Sequence, residues 1–141
     1  MKVLLGLIIL CTCALYGSVN ATEYAVLNAT AVVRGLPLRR FFDRWNPKGL
    51  LPFTEFVYTV ITDPDKKIRI DCPLINLHLP CHQYSFDIID TGPRIRICGK
   101  VERYVYYSNS EKVQIIVRTG PILVPHPPTC SATVYKRARR Y

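Results

Sequence analysis

Apolar and polar positions alternate with a period of two along most of this chain, the pattern of strands that bury one face. Phe56, Tyr58 and Val60 alternate with Val57, Thr59 and Ile61, and Asp63-Pro64-Asp65-Lys66 then supplies a turn. Ile68 and Ile70 share a face with Cys72 while Lys67, Arg69 and Asp71 point the other way, which predicts a half-buried strand. Tyr84, Phe86 and Ile88 predict the next strand, ended by Thr91-Gly92-Pro93. Ile95 and Ile97 follow, then Tyr104 to Tyr107, then a polar turn at Ser108-Asn109-Ser110-Glu111. Val113, Ile115 and Val117 alternate with Gln114, Ile116 and Arg118 until Thr119-Gly120-Pro121. A proline-rich crossing through Pro125, Pro127 and Pro128 leads to a last strand from Cys130 to Tyr135. No stretch carries a convincing helical period. Short strands divided by turn signals predict an all-β sandwich or barrel.

The N-terminal part reads differently. Lys2 gives a short positive start, Val3 to Tyr16 is uncharged and mostly aliphatic, and Val19-Asn20-Ala21 places compact residues at a cleavage site. Residues 1–21 are therefore expected to be a secretory signal peptide, the apolar run being shorter than the roughly 20 residues of a bilayer span. Glu23 to Val33, apolar and β-branched, predicts a first strand. Arg34 to Pro52 carries Gly35-Leu36-Pro37 and Asn46-Pro47-Lys48-Gly49 and is expected to be a long surface connection. It holds Trp45 beside Phe41 and Phe42, either a core anchor or an exposed aromatic-basic surface. The expected organisation is a signal peptide (1–21), one β-domain (22–135) and a basic C-terminal tail (136–141).

Charge and cysteines narrow the class. At 141 residues with 49% hydrophobic and 21% charged side chains, the chain fills one core and is no disordered tail. A formal charge of +9 favours anionic partners: nucleic acid, sulfated glycan, acidic lipid or acidic protein. Secretion weakens the first of these. Cys11 and Cys13 leave with the signal, so Cys72, Cys81, Cys98 and Cys130 remain, and in an oxidising compartment they are expected to form two disulfides. Four cysteines allow three pairings.

Several short stretches between Phe56 and Tyr135 recur in a known order: Tyr58-Thr59-Val60-Ile61, the turn at Pro64, and Ile68-Arg69-Ile70-Asp71-Cys72. Leu77-His78-Leu79-Pro80-Cys81, Phe86-Asp87-Ile88, Cys98-Gly99, Ser108 to Ile115 and Cys130 complete the series. In these the chain resembles a CUB domain, most nearly the type in arthropod secreted proteins. The resemblance implies a two-sheet antiparallel β-sandwich of jelly-roll type, with Cys81 paired to Cys98 and Cys72 to Cys130. Two positions depart from the calcium-binding members of that family. Tyr84 stands three residues after Cys81 where they carry an Asp, and Arg118-Thr119-Gly120 stands where another Asp ligand is expected. A hard cation needs carboxylate oxygen there, so no metal and no cofactor are expected.

The remaining constellations point away from catalysis. His78, His82 and His126 lie in no recognisable catalytic motif. His78 and His82 flank Cys81, but ligands four apart converge only on a helix and Pro80 argues against one, so exposed loop histidines are expected. Asn28-Ala29-Thr30 is an N-glycosylation acceptor. The tail concentrates Lys136, Arg137, Arg139 and Arg140 and is expected to touch an anionic partner. The sequence thus predicts a secreted, non-enzymatic binding module for an extracellular protein or anionic glycan, an effector of venom, saliva or seminal fluid. It has no nucleic-acid partner and no transmembrane segment in this reading, and only weak contact with a membrane surface is allowed for. The alternative is a precursor cut at Arg39-Arg40 and Lys136-Arg137 into bioactive peptides.

Overall fold

The computed structural model describes residues 24–34 and 49–135. The expected signal peptide (1–21), Phe41, Phe42 and Trp45, and the expected basic tail (136–141) lie outside the described residues. Eight strands follow one another: β1 (Ala25–Val32), β2 (Thr54–Ile61), β3 (Lys67–Asn76), β4 (Ser85–Ile89), β5 (Ile95–Ile97), β6 (Lys100–Tyr107), β7 (Lys112–Arg118) and β8 (Thr129–Tyr135). They form a five-stranded sheet, in the order β1-β2-β7-β4-β5, and a three-stranded sheet, β6-β3-β8. The alternation of the sequence is what closes the sandwich. Phe56, Val60, Phe86, Ile88, Val113, Ile115 and Val117 face inward from the larger sheet, against Ile68, Ile70, Cys72, Ile75, Cys130 and Ala132 from the smaller one. This is the all-β, two-sheet β-sandwich with two disulfides that the sequence predicts.

One pairing departs from the antiparallel expectation: β1 runs parallel to β2, in register from Ala25 opposite Thr54 to Val32 opposite Ile61. Parallel neighbours need a long crossover, and the connection that begins at Val33 provides it. That connection does not stay on the surface, as expected, over its whole length. Leu50 is fully buried and exchanges backbone hydrogen bonds with Val124 at 2.7 and 3.1 Å. Gly49 makes the close approach, with φ at 126° and no room for a Cβ beside the Val124 carbonyl oxygen. Thr119, completely buried, then fastens the crossover to β2: its hydroxyl lies 2.6 Å from the Leu51 carbonyl oxygen and accepts from the Thr54 N–H at 3.0 Å.

Two strands run further than alternation predicts. β3 continues past Cys72 through Pro73 to Asn76, with a register shift between Asp71 and Leu74 against β8. β6 starts at Lys100, and Arg103, opposite the irregularity, takes φ of +55°. A bulge breaks the period of two and tolerates a proline, so both extensions escape a pattern search. Cys72 on β3 is bonded to Cys130 on β8, with Cα atoms 4.1 Å apart across adjacent strands. Cys81, before β4, is bonded to Cys98, after β5, with Cα atoms 5.3 Å apart. These are the pairings the family resemblance implies.

Candidate functional site

Three groups of polar side chains among the described residues are positioned by the strands beneath them. The first is the outer side of β4 and β5. Asp87 lies opposite Arg96 in the antiparallel register and takes its Nε and Nη2 at 3.1 and 3.0 Å, with Arg94 Nη1 at 3.2 Å. Asp87 is almost inaccessible although it faces away from the core, because the two arginines cover it. The hydrogen bond and charge of Asp87 raise the Arg96 pKa further above its ordinary value. Both carboxylate oxygens of Asp87 are engaged inside this cluster, which clamps the β4–β5 hairpin.

The second cluster surrounds Asp90, at the end of β4. Its carboxylate accepts from the Tyr106 hydroxyl at 2.8 Å, the Asn109 N–H at 2.6 Å and the Ser110 hydroxyl at 2.6 Å. Burial pushes the Asp90 carboxyl up, but these bonds together with the Thr91 N–H outweigh it and hold the pKa below the ordinary value. Burial, followed by the hydrogen bond and charge of Asp90, keeps the Tyr106 phenol well above its own. Ser108 completes the knot, accepting the Ile68 N–H at 2.7 Å and donating to the Ser110 carbonyl at 2.7 Å. The result is a fixed β6–β7 turn beside a pocket of about 310 Å³ lined by Asp90, Ser110, Lys112 and Gln114 among others.

The third place is the outer face of the three-stranded sheet. Arg69 on β3 and Arg103 and Val105 on β6 line a pocket of about 450 Å³ together with Asp71 and Pro73. The Arg69 guanidinium stands 5.8 Å from the Tyr107 ring centroid and 3.3 Å from Asp71, and Tyr107 packs edge-on against Tyr135 at 5.2 Å. Tyr107 remains 54% exposed. Sequence reasoning put Arg69 and Asp71 on this face but missed Arg103, because the expected strand began at Tyr104 whereas β6 begins at Lys100 and carries Arg103 on the face of Val105 and Tyr107. It also missed Asp87 and Asp90. The turns that follow Asp90 and precede β7 were the available signal for the second.

The residues singled out by sequence fall as follows. Asn28 and Thr30 are both exposed on the outer face of edge strand β1. Tyr84 is no surface residue: its ring is buried, its hydroxyl accepts the Ile122 N–H at 2.8 Å, and Gly120 leaves so little room that a Cβ would lie 2.9 Å from the ring. The two positions singled out by the family resemblance, Tyr84 and Gly120, thus form one packed contact. His78 and His82 both lie outside the strands, as expected of loop histidines, but only His82 is fully exposed: His78 is half-buried, its Nε2 3.0 Å from the Leu123 carbonyl oxygen and its ring edge-on against Tyr84 at 5.3 Å. Neither shares a ligand cluster, as no group of three or more His, Cys, Asp or Glu is poised to hold a metal among the described residues. Among the described residues no helix is long and apolar enough to cross a membrane. Lys136, Arg137, Arg139 and Arg140 lie outside them.

A five-on-three β-sandwich closed by these two disulfides is a CUB-like fold. Solved structures agree with that class at low sequence identity. The CUB1-EGF-CUB2 region of human MASP-1/3 superposes with a TM-score of 0.65 at 12% identity, over 80% of this chain and 43% of that one. The MASP-1 CUB2 domain bound to Ca²⁺ gives 0.57 at 13% identity, over 79% of this chain and 98% of that one. The full extracellular region of zebrafish Gpr126/Adgrg6 gives 0.66 at 10% identity, and this chain spans only 15% of its length. No protein-family profile matches the sequence, and no curated protein matches it.

Proposed function

We propose that this protein is a secreted, non-enzymatic recognition module for an extracellular protein or an anionic glycan. The observation that carries the reading is how the polar side chains are spent. The carboxylates of Asp87 and Asp90 are consumed in holding a hairpin and a turn, while cationic and aromatic side chains stand open on the outer face of β6 and β3. None of His78, His82 and His126 is hydrogen-bonded to a serine, cysteine or carboxylate among the described residues, the arrangement nucleophilic catalysis requires. The two disulfides fit an oxidising compartment, and the formal charge of +9 fits an anionic partner. By analogy with arthropod proteins of the same resemblance, the protein acts as an effector in venom, saliva or seminal fluid.

Chromatography of the full secreted chain on immobilised heparin tests the glycan half of this reading. Retention at low salt and release at moderate salt are expected, since exposed charges are screened over roughly 8 Å at 0.15 M. A chain that passes unretained at low salt leaves only the protein partner.

A further inference from the structure

We infer that the pocket on the outer face of the three-stranded sheet, between Arg69 and Arg103, is the seat of a sulfated saccharide. The inference rests on the recognition reading and gives it a place and a ligand class. It begins with an oddity of the backbone. Arg103 adopts φ of +55°, a conformation that suits glycine and that arginine enters only under strain. Arg103 lies on β6 in an unbroken antiparallel register with β3, two residues from Val105 and four from Tyr107, and alternation therefore places it on the same outer face as Arg69. Strain of this kind marks a residue whose side chain is needed where it points.

The chemistry of the pocket is that of an oxyanion receptor with an apolar floor. The Tyr107 ring holds the Arg69 guanidinium over this face, and the Asp71 carboxylate competes for one of its N–H groups. Its Nε is buried without a hydrogen-bond partner, so the guanidinium has spent little of its donor capacity within the protein. Arg103 is exposed and has no ion pair among the described residues. Two guanidinium groups thus face one carboxylate, and a planar guanidinium takes a sulfate through paired hydrogen bonds. Pro73 and Val105 supply apolar surface for the C–H face of a sugar ring. The volume of about 450 Å³ falls within the range of small-ligand sites. A membrane surface would need basic side chains spread over a wide, flat area, whereas these converge on one pocket.

Calorimetric titration of the full secreted chain with a heparin-derived tetrasaccharide tests the assignment, beside its desulfated counterpart, inorganic sulfate and anionic phosphatidylserine vesicles. The wild type is expected to bind the tetrasaccharide, and the desulfated sugar and inorganic sulfate much more weakly. Arg103→Gly should lower the affinity by about tenfold or more, as loss of a charge-assisted donor group does. Its melting temperature should stay level or rise, because glycine relieves the strained φ. Asp71→Asn should tighten binding by about twofold or more, the sign opposite to that of Arg103→Gly, because it removes the competing carboxylate. If the wild type binds but neither variant changes the affinity, the saccharide sits elsewhere and only the pocket assignment falls. Equal binding of the desulfated sugar or of inorganic sulfate overturns sulfated-sugar recognition. Binding to vesicles with the same Arg103→Gly loss, in the absence of saccharide binding, reassigns the pocket to a membrane surface. No binding of any anionic probe overturns both the pocket and the glycan reading.

Discussion

Asp90 shows how one side chain can set the shape of a whole end of the sandwich. Its three close donors come from β6 and from the turn before β7, so the charge on its carboxylate holds two connections at once. A carboxyl whose pKa is depressed in the folded state stabilises the fold at pH above the unfolded value, and that contribution disappears as pH falls through the folded one. With the ordinary value at 3.8 and the shift downward, the contribution should be intact at neutral pH and lost in strongly acidic solution. Thermal melts of Asp90→Asn should therefore lie below those of the wild type at neutral pH and converge with them below pH 3.8, the variant's curve being the flatter. Parallel curves across that window would mean that the charge of Asp90 does not hold the turn. Tyr84 and Gly120 carry a second residue-scale claim. A buried ring and a glycine stand at the two positions where the family resemblance would put carboxylate ligands, so millimolar calcium should leave the melting temperature unchanged. A ligand bound only by the folded state must raise it, so an increase of several degrees reversed by chelator would overturn the assignment.

At the scale of elements, the strands that alternate cleanly were legible and those that bend were not. β2, β4 and β7 each show their inward row (Phe56 and Val60, Phe86 and Ile88, Val113 to Val117) directly in the sequence. The irregularity of β3 against β8 hid the stretch from Pro73 to Asn76, and with it the first half of β6 opposite, which carries Arg103 into the pocket. The parallel pairing of β1 was hidden for another reason: period-two patterning says which face is buried but not which neighbour lies alongside or in which direction it runs. Leu50 was hidden because a Pro- and Gly-rich stretch reads as surface even when one of its residues turns inward. β1 also carries the acceptor Asn28, and its position on an uncharged edge strand has a consequence for solubility. Edges are ordinarily blunted by charge, proline or bulges, none of which interrupts Ala25–Val32. We expect Asn28 to be glycosylated when the chain passes through a eukaryotic secretory pathway, since it and Thr30 are exposed. Enzymatic deglycosylation should then lower the mass of the wild type and leave Asn28→Gln unchanged; a wild type whose mass does not move lacks the modification.

For the whole molecule, the two disulfides divide the labour of restraint. One ties the smaller sheet together over a separation of 58 residues, and the other closes a loop of 17 around the β4–β5 hairpin. By loop length they contribute roughly 4 and 3 kcal/mol, against a typical net stability of about 5–15 kcal/mol for a domain. Positive charge is distributed between the folded part and the tail, and the two can be separated. Deleting residues 136–141, which follow β8, should lower the salt needed for elution from heparin without changing the melting temperature. Elution at an unchanged salt concentration would assign the retention to the folded domain and make the tail a solubilising end.

The measurement that bears most directly on the central claim, a secreted sandwich that stays whole and is locked by two disulfides, is a non-reduced peptide map of the secreted protein. It should show a chain that begins at Thr22, no free thiol, and two linked pairs, Cys72 with Cys130 and Cys81 with Cys98. A Cys72–Cys81 link would contradict the fold, because Cys72 is bonded to Cys130 on the neighbouring strand β8, with Cα atoms 4.1 Å apart, and Cys81 to Cys98. Fragments ending at Arg40 or Arg137 in place of an intact chain would contradict the recognition module and favour a processed precursor.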